Sequence, residues 1–145
     1  MKKWMVLFFV LASLSVKSQS NKQMILNYLD SLQIQIDSLG IQEPVYVMAQ
    51  AIYETGWFQC KNCTWSNKNM FGFRGLNGKY MKFKSWRVCL NYYAKWQGDR
   101  YKRFKEKYPK GDYIKFLKWS RFAESPNYSK KIIWTHDWIV KNWIN

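Results

Sequence analysis

The run Ala49-Gln50-Ala51-Ile52-Tyr53-Glu54-Thr55-Gly56-Trp57-Phe58 ends an apolar helical pattern with an acid, and a glycine follows two residues later. Val45, Met48, Ala49 and Ile52 repeat at the i, i+3, i+4, i+7 spacing of one helix face. At about 100° per residue, Glu54 falls roughly opposite Val45, off that stripe. Gly56 is placed to stop the helix with a left-handed cap. A carboxylate in the last turn meets the negative end of the helix dipole, which disfavours its charged form. Trp57, Phe58, Met70, Phe71 and Phe73 are near in sequence, and shielding by such rings raises a carboxyl pKa further. A carboxyl of that kind holds a proton near neutral pH and can deliver it to a leaving-group oxygen.

The elements that must position Glu54 follow from the same pattern reading. Met24, Ile25, Leu29, Leu32, Ile36 and Leu39 give a helix over 21–39 that ends at Gly40. Pro44 opens the helix that carries Glu54. Residues 55–69 read as loop. The runs 70–74 and 80–83, joined by Leu76-Asn77-Gly78-Lys79, predict a β-hairpin. Ser85 caps a helix to about Gln97, with Val88, Cys89, Tyr92, Tyr93 and Trp96 on its buried side. A short helix over 99–107, one capped by Asp112, and a last one from Ser125-Pro126 complete the chain. The expected architecture is one small helical domain with a hairpin directly after the helix that bears the acid.

Composition narrows the setting. Lys2 and Lys3 precede Trp4–Val16, thirteen residues broken only by two serines, with Ser18 and Gln19 at a small-residue cleavage site. This reads as a signal peptide over 1–18 followed by one domain over 19–145, exported to periplasm, envelope or exterior. The run is shorter than the ~20 residues of a membrane span, so no stable membrane insertion is expected after cleavage. The whole chain carries a net charge of +15; without Lys2, Lys3 and Lys17, 21 basic side chains face 9 acidic ones, about +12. An exported cation suits an anionic polymer such as cell-wall glycan. No nucleic-acid motif is present. Nine Trp, ten Tyr and nine Phe pack the core, and any surplus offers flat faces to sugar rings.

Among three cysteines, Cys60 and Cys63 can pair across a short loop and leave Cys89 over, or Cys89 can link to either. A zinc site lacks a fourth ligand, and the sole histidine, His136, sits on a helical face with Ile132, Ile139 and Val140 as a packed or surface residue. No metal and no cofactor is expected.

Four blocks then occur in order. Residues 49–57 resemble AQA-x-x-E-[ST]-G-W, and 69–75 resemble N-[LM]-F-G-[IF]-[KR]-G. Lys82-Phe83-Lys84-Ser85-Trp86 with Tyr92-Tyr93 resembles F-x-S-[FW] … D/N-Y, and 122–128 resembles Y-A-[TE]-D-P-N-Y. Together they resemble the bacterial glucosaminidases of glycoside hydrolase family 73, over about residues 22–143. The resemblance implies a lysozyme-like, mainly α domain and cleavage of the β-1,4 bond after N-acetylglucosamine in peptidoglycan, by a monomer. It places the general acid on Glu54 and the substrate against Gln50, Trp57, Asn69, Phe71, Gly72 and Phe122.

The tyrosine that opens the family's last block is Phe122 here, and Tyr128 is left to supply a phenol as the second catalytic group. No Asp or Glu lies between Thr55 and Gln97, so a pair of carboxylates across the bond is hard to build. Asp99, Glu106, Asp112 and Asp137 read as capping or solvated acids, and Glu124, inside a matching block, as the best second acid. The expected mechanism uses one acid, with the substrate's 2-acetamido oxygen completing the chemistry. A muramidase or lytic transglycosylase on the same general fold, and a wall-binding module without catalysis, are the alternative functions.

Overall fold

The structure, a computed structural model, describes residues 2–122, 125 and 127–145, with side chains from Gln19 onward. It is mainly α. Five α-helices occur among the described residues: α1 (Lys2–Ser38), α2 (Pro44–Glu54), α3 (Trp86–Lys107), α4 (Tyr113–Trp119) and α5 (Tyr128–Ile139). A 3-10 turn spans Thr64–Asn67 and a π-helical turn, Val140–Ile144, extends α5. No helix among the described residues is long and apolar enough to cross a membrane.

Ile25, Leu29, Leu32 and Ile36 form the buried stripe of α1, at the spacing the sequence shows. α1 and α2 stop in the same way. The N–H groups of Gly40 and Ile41 bond back to Asp37 and Ile36 at 3.2 and 3.1 Å, and those of Gly56 and Trp57 to Tyr53 and Ile52 at 3.3 and 2.9 Å. Both glycines take positive φ, 62° and 54°, the left-handed turn that this cap needs.

α2 departs from the expected one-sided pattern. Val47, Met48, Ala49, Gln50, Ala51 and Ile52 are all buried, because α2 lies inside the domain, packed chiefly against α5 and also against α1. Glu54 therefore does not sit on a solvent face; it is half-buried.

The two helices expected over 85–97 and 99–107 are one, α3. Gly98 inside it costs about 1 kcal/mol against alanine, but the stripe Leu90, Tyr93, Gln97, Tyr101 and Phe104 is buried across it and carries the helix through. Val88 and Tyr92, expected inside, are exposed. The expected caps are present: the Ser85 side chain accepts from Val88 N–H at 3.3 Å and Asp112 from Lys115 N–H at 2.8 Å. α5 begins at Tyr128, after the expected Ser125-Pro126 start.

The β-hairpin is not seen. The Asn77-Gly78 turn forms, with Gly78 at φ 73° and Gly75 N–H bonded to Lys79 O at 2.9 Å. Beyond it there is only an isolated antiparallel bridge, Arg74 to Tyr80. The ladder stops because the Asn69 side chain takes its place. Asn69 Oδ1 accepts from Phe73 N–H at 2.9 Å, and Nδ2 donates to Phe73 O at 2.8 Å and Met81 O at 3.0 Å. Gly72, at φ 67°, turns the chain out of extended geometry one residue earlier. The segment is thus a braced loop, held against the end of α2.

Candidate active site

Glu54 ends α2, and its backbone carbonyl accepts from Thr64 Oγ1 at 2.7 Å, which ties the helix end to the loop beyond it. Its carboxyl lies over Gly72. A Cβ on residue 72 would stand 2.8 Å from Glu54 Oε2 and 3.3 Å from Cδ, closer than ordinary contact allows. Gly72 is required here twice, for its left-handed φ and for the approach of the acid. Burial pushes the Glu54 pKa up to about 7; the Tyr128 phenol beside it and the Arg74 guanidinium pull the other way, both favouring the carboxylate. At neutral pH the group is divided between acid and base forms, as a residue that gives and then recovers a proton needs.

A hollow of about 270 Å³ is lined by Phe71, Gly72, Phe73, Arg74, Trp96 and Phe122, with Ser120 and Arg121, and shares Gly72 with this carboxyl. Phe122 packs its ring 5.0 Å from Trp96 and 6.3 Å from Tyr128. Asn69 is fully buried, so it shapes the wall from behind through the three bonds given above. Trp57 stands elsewhere: its ring meets Trp134 and Trp138 edge-on at 5.9 and 4.8 Å. Phe58 also turns away from the acid, onto Tyr28 at 4.8 Å and Trp65 at 5.5 Å. Glu124 lies outside the described residues. Asp99, Glu106, Asp112 and Asp137 are exposed.

Behind Glu54 runs a buried chain of hydrogen bonds. Gln97 is clamped on the backbone of Gln42: its Oε1 accepts from Gln42 N–H and its Nε2 donates to Gln42 O, both at 2.8 Å. That clamp fixes which end of the amide is which. Gln97 Nε2 then donates to Tyr113 Oη at 3.0 Å, Tyr113 and Tyr93 share a short hydroxyl–hydroxyl bond, and Tyr93 donates to Gln50 Oε1 at 2.7 Å. Gln50 Nε2 donates to Tyr128 Oη at 3.2 Å. With Gln97 donating to Tyr113, and both phenols within reach of Gln50 Oε1, the Tyr93–Tyr113 pair passes its donors on toward Gln50 whichever phenol donates, and the Tyr128 hydroxyl proton is left for Glu54. No buried side-chain N or O among the described residues lacks a partner, so the chain is satisfied throughout. Burial, with the Glu54 charge next, raises the Tyr128 pKa well above its ordinary value, which keeps the phenol protonated and a donor.

The sequence points to Gln50 and Tyr128, the two members of this chain nearest Glu54, but not to Tyr93, Tyr113 or Gln97. Tyr93 falls on the buried side of its expected helix, and a hydroxyl on that face is the available signal. Gln97 was read as a helix end, although it falls on the buried stripe of α3. Among the described residues no three His, Cys, Asp or Glu gather as a metal site. Cys60 and Cys63 are bonded to each other, with Cα atoms 5.7 Å apart, and Cys89 is free and buried. His136 stacks on Tyr46 at 4.2 Å, away from the acid.

Residues 31–138 match the family model Glucosaminidase, described as mannosyl-glycoprotein endo-beta-N-acetylglucosaminidase. The chain belongs to the glucosaminidase family. Comparison with curated proteins and with solved structures finds no match. The family's members are glycoside hydrolases, and the matched segment contains every site residue named above from Gln50 to Tyr128. Glucosaminidase membership thus agrees with the mainly helical fold and with an acid set at the end of its central helix.

Proposed function

We propose that the protein is an exported peptidoglycan hydrolase that cleaves the β-1,4 bond after N-acetylglucosamine, with Glu54 as general acid. The observation that carries this reading is the half-buried carboxyl of Glu54, raised to about 7 and aimed over Gly72 beside an aromatic hollow. Among the described residues, the charge that acts on it is the cation of Arg74.

Glu54 protonates the glycosidic oxygen as the bond to the anomeric carbon breaks, and the leaving sugar departs as a neutral alcohol. The 2-acetamido oxygen of the N-acetylglucosamine unit attacks that carbon from the far side and holds the positive charge as a cyclic oxazolinium. Water then adds, giving its proton to the Glu54 carboxylate, and the acetamide reopens with a new reducing end. Tyr128 donates to the carboxylate while it is charged. Arg74 supports the same state through its field.

Mass analysis of fragments from digested peptidoglycan tests the reading. The expected product carries a reducing-end N-acetylglucosamine. Reducing-end or anhydro-muramic acid would assign the enzyme to the muramidase or transglycosylase class. Sedimentation with peptidoglycan and no product at all would leave a wall-binding module.

A further inference from the structure

A second hollow, about 330 Å³, is lined by Tyr53, Trp57, Lys130, Lys131, Trp134 and Thr135, within the ~300–1,000 Å³ typical of small-ligand sites. Tyr128 stands between it and the first: its ring lies 6.3 Å from Phe122 of one and 5.5 Å from Tyr53 of the other. The second hollow is built mainly by the end of α2 and by α5, the helix that Tyr128 opens. Tyr53 precedes Glu54 at the end of α2. Lys131, Trp134 and Thr135 follow Tyr128 on α5 at helical spacing.

The chemistry of the second hollow is specific. Its walls are the aromatic faces of Tyr53, Trp57 and Trp134, and Trp134 is 61 % exposed. Trp57 holds φ at 62°, a conformation costly for a non-glycine residue and common where structure serves a site. The polar groups are two ammonium ions. Lys131 Nζ is fixed by Tyr53 Oη at 3.2 Å and lies 5.3 Å from that ring's centroid. Among the described residues, neither Lys130 nor Lys131 pairs with a carboxylate. An apolar slot edged by two cations fits an apolar chain that ends in a carboxylate.

We propose that this slot takes the peptide arm of the glycan strand, with Lys130 and Lys131 meeting an arm carboxylate and Trp57 and Trp134 lying along its apolar part. The assignment rests on the hydrolase reading for the identity of the strand. The sugar's own lactyl carboxyl is consumed in the amide link to the arm, so the free carboxylates of such a strand are on the arm itself. Buried Tyr128 packs between Phe122 and Tyr53, so the slot and the hollow beside Gly72 share one aromatic support.

The test compares three substrates: strands with peptide arms, strands stripped of arms by an amidase, and chitin oligosaccharides, which carry no carboxylate. For Lys130→Gln/Lys131→Gln, the ratio of kcat/KM on armed to stripped strands should fall about five- to tenfold, through KM, as loss of two partly exposed ion pairs allows. Trp134→Ala, at an exposed position, should lower the same ratio. Equal losses on all three substrates, or a loss on stripped strands alone, would overturn the proposal. A binding arm separates it from the hydrolase reading. Tryptophan fluorescence should report tighter binding of a soluble peptide-bearing disaccharide than of its carboxyl-amidated form. If that preference holds while no strand is cut, the slot stands and the hydrolase reading fails. If strands are cut and both forms bind alike, the slot assignment fails and the hydrolase stands.

Discussion

Gly72 and Gly78 take nearly the same backbone conformation, at φ 67° and 73°, but only Gly72 faces the acid. Replacing each by alanine separates backbone strain from displacement of the carboxyl. A left-handed alanine costs about 1–2 kcal/mol, so both variants should lose Tm by roughly 4 °C for each kcal/mol. A Cβ at position 78 meets nothing within 4 Å, so Gly78→Ala should pay strain alone and keep its turnover. At position 72 the new methyl would stand 2.8 Å from Oε2, and the carboxyl must retreat by about half an ångström or more to restore contact. Misplacement of a reacting group by about 1 Å removes about 10² in rate, so Gly72→Ala should lose about 10- to 100-fold in kcat on purified peptidoglycan. The assay is release of reducing ends beside a thermal melt for both variants. Wild-type kcat in Gly72→Ala, with a melt shifted as in Gly78→Ala, would refute the placement of Glu54 over residue 72.

Glu54→Gln should lower kcat by about 10²–10⁴-fold with little change in glycan sedimentation; near wild-type turnover would sink the general-acid role. Because the folded protein keeps a proton that an unfolded glutamate sheds above its ordinary value of 4.5, Glu54 lowers stability as pH rises from there to about 7, and melts of Glu54→Gln should be flatter across that window. The kcat/KM profile should fall as pH rises through about 7, and Arg74→Gln, which removes a charge that favours the carboxylate, should move that limb to higher pH; a limb that stays or moves down would contradict the electrostatics. Phe122→Tyr tests whether a hydroxyl at that wall position raises kcat, as the family's tyrosine implies, while Tyr128→Phe should lower it; the reverse order would exchange their roles. Thiol titration should find one thiol per chain after denaturation and none before, since Cys89 is buried and its pKa is pushed up to about 12 by burial; three thiols would exclude the Cys60–Cys63 bond.

The helices were legible because their stripes, caps and stops are local. Gly40, Pro44, Gly56, Ser85 and Asp112 each act within a turn of themselves, and each stands where its chemistry predicts. Glu54 was legible as an acid at a helix end, but its surroundings were not. Phe58 and Trp57 are its neighbours in sequence, yet positive φ at both turns the chain away and sends their rings to other partners. The hairpin failed for a related reason. Alternation and Asn-Gly describe the two segments and their turn, whereas Asn69, outside both, decides that they pair no further than Arg74 and Tyr80. The polar chain joins positions 42, 50, 93, 97, 113 and 128, and no local pattern links residues so far apart.

That chain has a consequence for where protons travel. Hydroxyls can pass a proton along by accepting one and releasing another, but a carboxamide donates through nitrogen and accepts through oxygen, and cannot hand a proton from one to the other without leaving its stable tautomer. Gln50 stands between Tyr93 and Tyr128, and Gln97 closes the far end on the backbone of Gln42. The interior row is therefore an insulator: it transmits polarisation to Glu54 and blocks conduction away from it. Proton exchange by Glu54 then falls to its Gly72 side, where the sugar and its attacking water must also stand. A carboxyl sealed at its back can only lend its proton to the substrate side and recover it there, so solvent isotope effects on turnover should report the chemistry at the bond and not leakage through the protein.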